Sequence, residues 1–394
     1  MNGIKKKIEY LLKHNTFVQN LYKVTLSAFF KFIGLFVKTD INIVLINSFG
    51  GRRYNDSPKA ISDFLSCNYD YNRLKIVWAF EAPEEFNIPY SKIKIDSWSY
   101  FITALKAKYW ISNVNIERGL KFKKKKTRYL NTWHGTPLKL VGNAVSGRRD
   151  FDCSNVDIFC CSGQYEKDIF LRDFGVRNEN LIYSGLPRND ELYDVDDTDV
   201  IKIKEKLKIS NDKKVILYAP TWRDSVDKGK SYVIKPLIDL NKWRNLLNNQ
   251  YIILFRAHSF TTKIMGLEFD DFIFDFSNYQ SINELLKITD VLISDYSATI
   301  FDFSILKRPI LAYAYDYDDY KKIRGFYIDL EKELPGGVIK NEDEVLYRLL
   351  NLDYSKESYN TNVFRDKYIE YGGNAIELCT KALFNSIVIN DGVN

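Results

Sequence analysis

The chain has 394 residues, long enough for two domains with substantial cores. Its 57 Lys and Arg against 51 Asp and Glu give a net charge of +6, and no familiar nucleic-acid-binding motif accompanies that charge, so nucleic acid is not an expected partner. Five cysteines without metal-ligand or C-x-x-C spacing argue against a cysteine metal site and suit a reducing compartment.

Residues 1–38 hold seven lysines and a single acidic residue, Glu9. Lys6, Glu9, Lys13, Thr16, Asn20, Lys23, Ser27, Lys31 and Lys38 recur at steps of three, four or seven, which predicts a helix with a narrow polar stripe. Its longest uncharged apolar stretch, 24–30, is far short of the roughly 20 residues a spanning helix needs. The pattern fits a helix in a membrane interface, lysines towards the headgroups; the alternative is a helix packed on the protein's own core. No cleavable signal peptide is apparent. A second basic run, KFKKKKTR at 121–128, suits a solvated face or an anionic partner such as a lipid surface.

From residue 41 short apolar runs alternate with polar helical ones. Strands are expected at 41–46, 74–80, 109–112, 129–133, 157–161 and 181–184, with helices at 58–66, 100–106 and 164–174. Acidic, apolar-poor 193–200 (YDVDDTDV) marks a boundary. Beyond it strands are expected at 215–219, 251–256, 272–274, 291–294 and 310–313, and helices at 201–208, 240–248, 282–289 and 298–306. Near-continuous apolar strands separated by helices predict parallel sheets covered on both faces. The expected organisation is a segment 1–38, a first domain 39–195 and a second domain 196–394.

Three places could carry chemistry. In 129–142 (YLNTWHGTPLKLVG) a strand stops at His134-Gly135, which puts His134 on the loop at a strand's C-terminal end, where open α/β sheets bind ligands. The alternative is a structural histidine. In 290–306 (DVLISDYSATIFDFSIL) a strand ends at Ser294-Asp295, and Ser297 is the expected N-cap of a helix beginning at Ala298. That start, with the Ser297 and Thr299 hydroxyls, suits a pyrophosphate without a metal, and Asp302, one turn further in, is a candidate to hold a ribose or glycerol hydroxyl. Arg256 and His258 stand two apart at the end of an apolar strand and can hold phosphate oxygens together. Asp316 and Asp318 form an Asp-x-Asp pattern, which we do not read as a metal site because a helix terminus can already neutralise phosphates.

The segments WHGTP (133–137), SFGGRRYNDSP (48–58), GLPRND (185–190), APTWR (219–223), RAH (256–258), SDYS (294–297) and the stretch 307–337 together resemble the CDP-glycerol glycerophosphotransferase family of teichoic-acid primases and polymerases. The resemblance implies two Rossmann-like domains facing across a cleft, the glycosyltransferase-B architecture. It implies two catalytic histidines, His134 as base with Gly135 and Thr136 beside it and His258 at the donor phosphates, and a donor site completed by Arg256, Thr221, Arg223, Ser294, Ser297, Thr299 and Asp302. Family members commonly carry a small hydroxyl residue where this chain has Ala298. The expected reaction is transfer of glycerol phosphate from CDP-glycerol to a lipid-linked (undecaprenyl-type) saccharide acceptor, releasing CMP, at the cytoplasmic face of the membrane and without a cofactor. The rivals are CDP-ribitol or another CDP-alcohol as donor, a capsule as product, and a non-catalytic membrane-surface binder.

Overall fold

The computed structural model describes residues 16–68, 71–148, 151–221, 233–234, 237–257, 263–264 and 268–388. A seven-stranded sheet takes the first part of the chain: β1 (Asp40–Asn47), β2 (Lys75–Phe80), β3 (Ser91–Lys94), β4 (Ala107–Ser112), β5 (Arg128–Asn131), β6 (Ile158–Cys161) and β7 (Leu181–Tyr183). Its order is β3-β2-β1-β4-β5-β6-β7, and every pairing is parallel. The second part begins with β8 (Lys214–Ala219). Two short strands, β9 (Val233–Ile234) and β11 (Lys263–Ile264), pair only with each other. The rest, β10 (Tyr251–Phe255), β12 (Ile273–Asp275), β13 (Val291–Ser294), β14 (Ile310–Tyr313) and β15 (Val338–Ile339), join β8 in a parallel sheet ordered β12-β10-β8-β13-β14-β15.

The two orders are the same path drawn twice. The first strand lies mid-sheet, the chain moves out to one edge, then crosses back to build the other side. In such a sheet the strand ends diverge where the direction reverses, and a crevice opens there at the carboxyl ends. The reversals lie between β1 and β4 and between β8 and β13. Strands such as Tyr251–Phe255 and Val291–Ser294 are buried at every position, because helices cover both faces of the sheet.

The expected strands are all present. Those missed, β3, β9, β11 and β15, are edge or two-residue strands; β3 is exposed SKIK, with no apolar run to mark it. The expected second domain does not close on itself. Its last helix, Ala375–Val388, lies on the first sheet, where Cys379, Leu383 and Phe384 join the core of Val44, Ile46 and Tyr109. Asp190 accepts the N–H groups of Ala375 and Ile376 and so fixes the start of that helix.

The helix Thr16–Phe36 corrects the expected polar stripe. Ser27 faces inward and accepts from the Lys121 N–H at 2.9 Å, while Phe30 is 5% exposed and stacks on Phe101 at 4.2 Å. The opposite side carries exposed Phe17, Leu21, Val24, Phe32 and Leu35, a stripe at helical spacing. The expected residues 1–15 of this helix lie outside the described residues. No helix among the described residues is long and apolar enough to cross a membrane.

Candidate active site in the cleft between the sheets

A cavity of about 690 Å³ opens where the two reversals face each other. The first sheet supplies the loop after β1 (Phe49, Arg52, Arg53, Asn55, Asp56) and the loop after β5 (Trp133 to Lys139). The second supplies Ala219 to Thr221 after β8, Arg256 and Ala257 after β10, and Tyr296 to Thr299 after β13. Arg188 and Asp302 also line it.

The histidine loop is set by asparagine side chains. The expected strand through Trp133 stops instead at Asn131, whose Oδ1 accepts the Trp133 N–H at 2.9 Å and whose Nδ2 donates to the Val114 carbonyl. This turn holds Trp133 at φ 54°, a left-handed conformation rare outside glycine, and its ring is locked between Phe174 and His134. His134 Nδ1 then lies 2.8 Å from the Asn113 carbonyl oxygen. A carbonyl can only accept, so the neutral ring carries its proton on Nδ1 and keeps the Nε2 lone pair for a substrate. Burial lowers the imidazole's pKa below its ordinary 6.5; the Asn113 bond and Asp56 oppose this, and Arg188 adds to it. His134 is therefore neutral, and base-competent, at neutral pH.

Gly135 has φ 149°, and a Cβ there would stand 2.8 Å from the Cβ of Ala298. The histidine loop thus touches the opposite half of the cleft, at the position where this chain has alanine. Thr136 is buried beside it.

On the second half, Asp295 Oδ1 accepts the N–H groups of Thr221 and Tyr296, tying the ends of β8 and β13 together. Ser297 is not the N-cap: it accepts from the Thr299 N–H and donates to its hydroxyl, and Ala298 is the residue before the helix. That helix, Thr299–Ser304, has six residues, shorter than expected, so its dipole is a weak anion site and the charge must come from side chains. Arg256 supplies one. Its Nη1 donates to the Phe276 and Tyr279 carbonyls at 3.0 and 2.7 Å, and burial, reinforced by Arg53, pushes its pKa down to about 10.

Two expected site residues do other work. Ser294 is fully buried, donates to the Ala219 carbonyl at 2.8 Å and does not line the cavity. Asp302 has both oxygens occupied, by Arg188 Nη2 at 2.7 Å and Asn189 Nδ2 at 2.6 Å, which leaves it poorly placed to take a sugar hydroxyl. Arg188 also binds Asp56 at 2.7 Å, so one guanidinium bridges a carboxylate from each half. His258 and Arg223 lie outside the described residues. Asp316 accepts from the Tyr296 hydroxyl and Asp318 pairs with Lys340. Among the described residues no three His, Cys, Asp or Glu side chains are grouped to hold a metal. Arg53, Asp56 and Arg188 were assigned no role from the sequence, although they stand in the segments SFGGRRYNDSP and GLPRND that carried the resemblance.

The family described as CDP-glycerol:poly(glycerophosphate) glycerophosphotransferase matches residues 29–384. The chain belongs to this family. Among its relatives, a teichoic acid poly(glycerol phosphate) polymerase of Bacillus spizizenii is 32% identical, over 96% of this chain and 100% of that one. A teichoic acid glycerol-phosphate transferase of Staphylococcus aureus is 35% identical, over 81% of this chain and 86% of that one. Among solved structures, the wall teichoic acid polymerase TagF is similar with a TM-score of 0.82 and 31% identity, covering 98% of each chain. A histidine variant of that polymerase has also been solved after soaking with CDPG.

Proposed function

We propose that this glycerophosphotransferase moves glycerol phosphate from CDP-glycerol to a hydroxyl of a lipid-linked, undecaprenyl-type saccharide acceptor, with His134 as general base. One observation carries the assignment of roles. An imidazole with its Nε2 lone pair free and a cationic, hydroxyl-lined wall share one cavity but come from opposite sheets. His134 Nε2 takes the proton of the acceptor hydroxyl as its oxygen bonds to the β-phosphorus; the bond from that phosphorus to the bridging oxygen breaks, and CMP leaves with the electron pair. Phosphoryl transfer otherwise needs positioning and charge neutralisation, which Arg256, Ser297, Thr299 and Thr221 supply on the donor side, together with His258 and Arg223.

In this reading the two parallel sheets are Rossmann-like halves of a glycosyltransferase-B architecture, residues 39–195 with the last helix, Ala375–Val388, binding the acceptor and residues 196–374 the donor. The shared strand path, with one further strand at the edge of the first sheet, supports it. The exposed stripe Phe17, Leu21, Val24, Phe32 and Leu35 rests on the anionic inner surface of the cell membrane, and brings the cleft to a lipid-borne acceptor. Incubation with CDP-glycerol and a synthetic lipid-linked acceptor, with CDP-ribitol in parallel, tests the reaction. CMP release with product growth by one glycerol phosphate or more is expected. CMP release from CDP-ribitol alone assigns the other donor, and none from either overturns the reading.

A further inference from the structure

Four arginines line the cavity, and their surroundings differ. Arg188 is bound by two carboxylates, and Arg52 donates through Nε to the Phe49 carbonyl. Arg256 donates, among the described residues, to two backbone carbonyls, and the Arg53 backbone bridges to Ser48. Among the described residues no carboxylate pairs with Arg53 or Arg256. Yet they come from opposite halves of the cleft, and stand close enough for Arg53 to depress the ionisation of Arg256. Two like charges drawn together without a counter-ion cost free energy unless an anion sits between them. That anion must carry enough charge to neutralise both, and enough length to reach from one half to the other.

We propose that Arg53, on the acceptor half, is a ligand of the donor's diphosphate, so that Arg53 and Arg256 grip it from opposite sides. The inference rests on the reaction proposed above and adds to it a residue and a direction. The loop bearing Arg53 also bears Phe49, whose ring lies 5.6 Å from that of His134. The diphosphate would thereby be anchored to the same loop that shapes the base's surroundings. As the acceptor oxygen bonds to the β-phosphorus, negative charge spreads over the equatorial oxygens of the transferring group and onto the departing CMP. A planar guanidinium offers those oxygens two parallel donors.

The test uses the whole chain with Arg53→Gln and Arg53→Lys. Calorimetry measures inorganic pyrophosphate and CDP-glycerol binding, and steady-state kinetics measures kcat and the acceptor KM. In Arg53→Gln both ligands should bind about 10- to 150-fold more weakly, the effect of losing charge-assisted hydrogen bonds. The kcat should fall as well, with the acceptor KM unchanged. Arg53→Lys should recover binding only in part, because a point charge lacks the fork. Unchanged pyrophosphate and CDP-glycerol binding in a glutamine variant that melts like the wild type would overturn the proposal. So would a change confined to the acceptor KM, which would place Arg53 on the acceptor. Should the glutamine variant not fold, full binding and kcat in Arg53→Lys would overturn it equally, since fork and point charge would then be equivalent. The pyrophosphate measurement needs no turnover, so it separates failure of the arginine pair from a wild-type protein that releases no CMP.

Discussion

Arg188 offers a test in which stability and catalysis must move together. Its guanidinium is 8% exposed, and the two carboxylates it binds, Asp56 and Asp302, are 8% and 6% exposed. Arg188→Gln leaves both acids buried without their cation. Breaking a buried ion pair by removing one partner costs about 3–5 kcal/mol, far above the ~1 kcal/mol of a surface pair. Denaturant unfolding of the variant at neutral pH should show that loss. Catalysis supplies the second reading. Arg188 lowers the pKa of His134 and Asp56 raises it. The acid limb of kcat/KM should therefore move to higher pH in Arg188→Gln and to lower pH in Asp56→Asn. A pH–rate profile for each variant measures these shifts. A loss below ~1 kcal/mol, or acid limbs that move the same way in both variants, would refute the electrostatic account.

Three further outcomes are expected. His134→Ala should lower transfer by about two to four orders of magnitude while CDP-glycerol binding stays near wild type; in the wild type the acid limb of kcat/KM should lie below pH 6.5, because burial depresses the imidazole and the neutral form is the active one. Gly135→Ala should destabilise the protein by about 1–3 kcal/mol through strain and the collision with Ala298, with partial rescue by adding Ala298→Gly; melting equal to wild type would contradict the close approach. Replacing Phe17, Leu21, Val24, Phe32 and Leu35 by serine should release the protein from anionic liposomes without lowering its melting temperature, whereas Phe30→Ala should cost about 3–5 kcal/mol; retained pelleting of the serine variant would assign the stripe elsewhere.

What the sequence disclosed follows from how local each signal is. The interior strands were legible because apolar runs such as YIILF and VLISD are contiguous. The edge strand SKIK was not, since its order comes from pairing with Lys75–Phe80. His134 was legible because Gly135 and Pro137 follow it. The roles of Ser294 and Asp302 were not, because adjacency in the motif says nothing of which way a side chain points. Ser294 turns to the Ala219 carbonyl, and Asp302 answers Arg188, 114 residues away in sequence. The inward turn of Ser27 depends likewise on a partner, the Lys121 N–H, that helical periodicity cannot see.

The distribution of backbone strain ties these features together. Among the described residues seven non-glycine residues have positive φ, and three of them, Phe49, Asp56 and Trp133, line the cavity. Such conformations cost about 1–3 kcal/mol each and persist only where the surroundings over-determine them. Each here has a side-chain oxygen in place: Asn113 Oδ1 takes the Phe49 N–H, Asn131 Oδ1 takes that of Trp133, and the Asp56 carboxylate takes that of Ser57. Asn113 contributes twice, through its side chain to Phe49 and through its carbonyl to His134. All three strained residues belong to the half that carries the base, so that half is built to hold one geometry before any ligand arrives. The wall that carries Arg256 is on the other half, and the halves meet where Gly135 touches Ala298, where Arg188 joins Asp56 to Asp302, where Lys139 and Leu140 pair with Phe326 and Gly325, and where Asn55 donates to the Gln280 carbonyl. Alignment of base and donor is then a property of those few contacts, which is why changes there should alter turnover more than they alter either half's own binding.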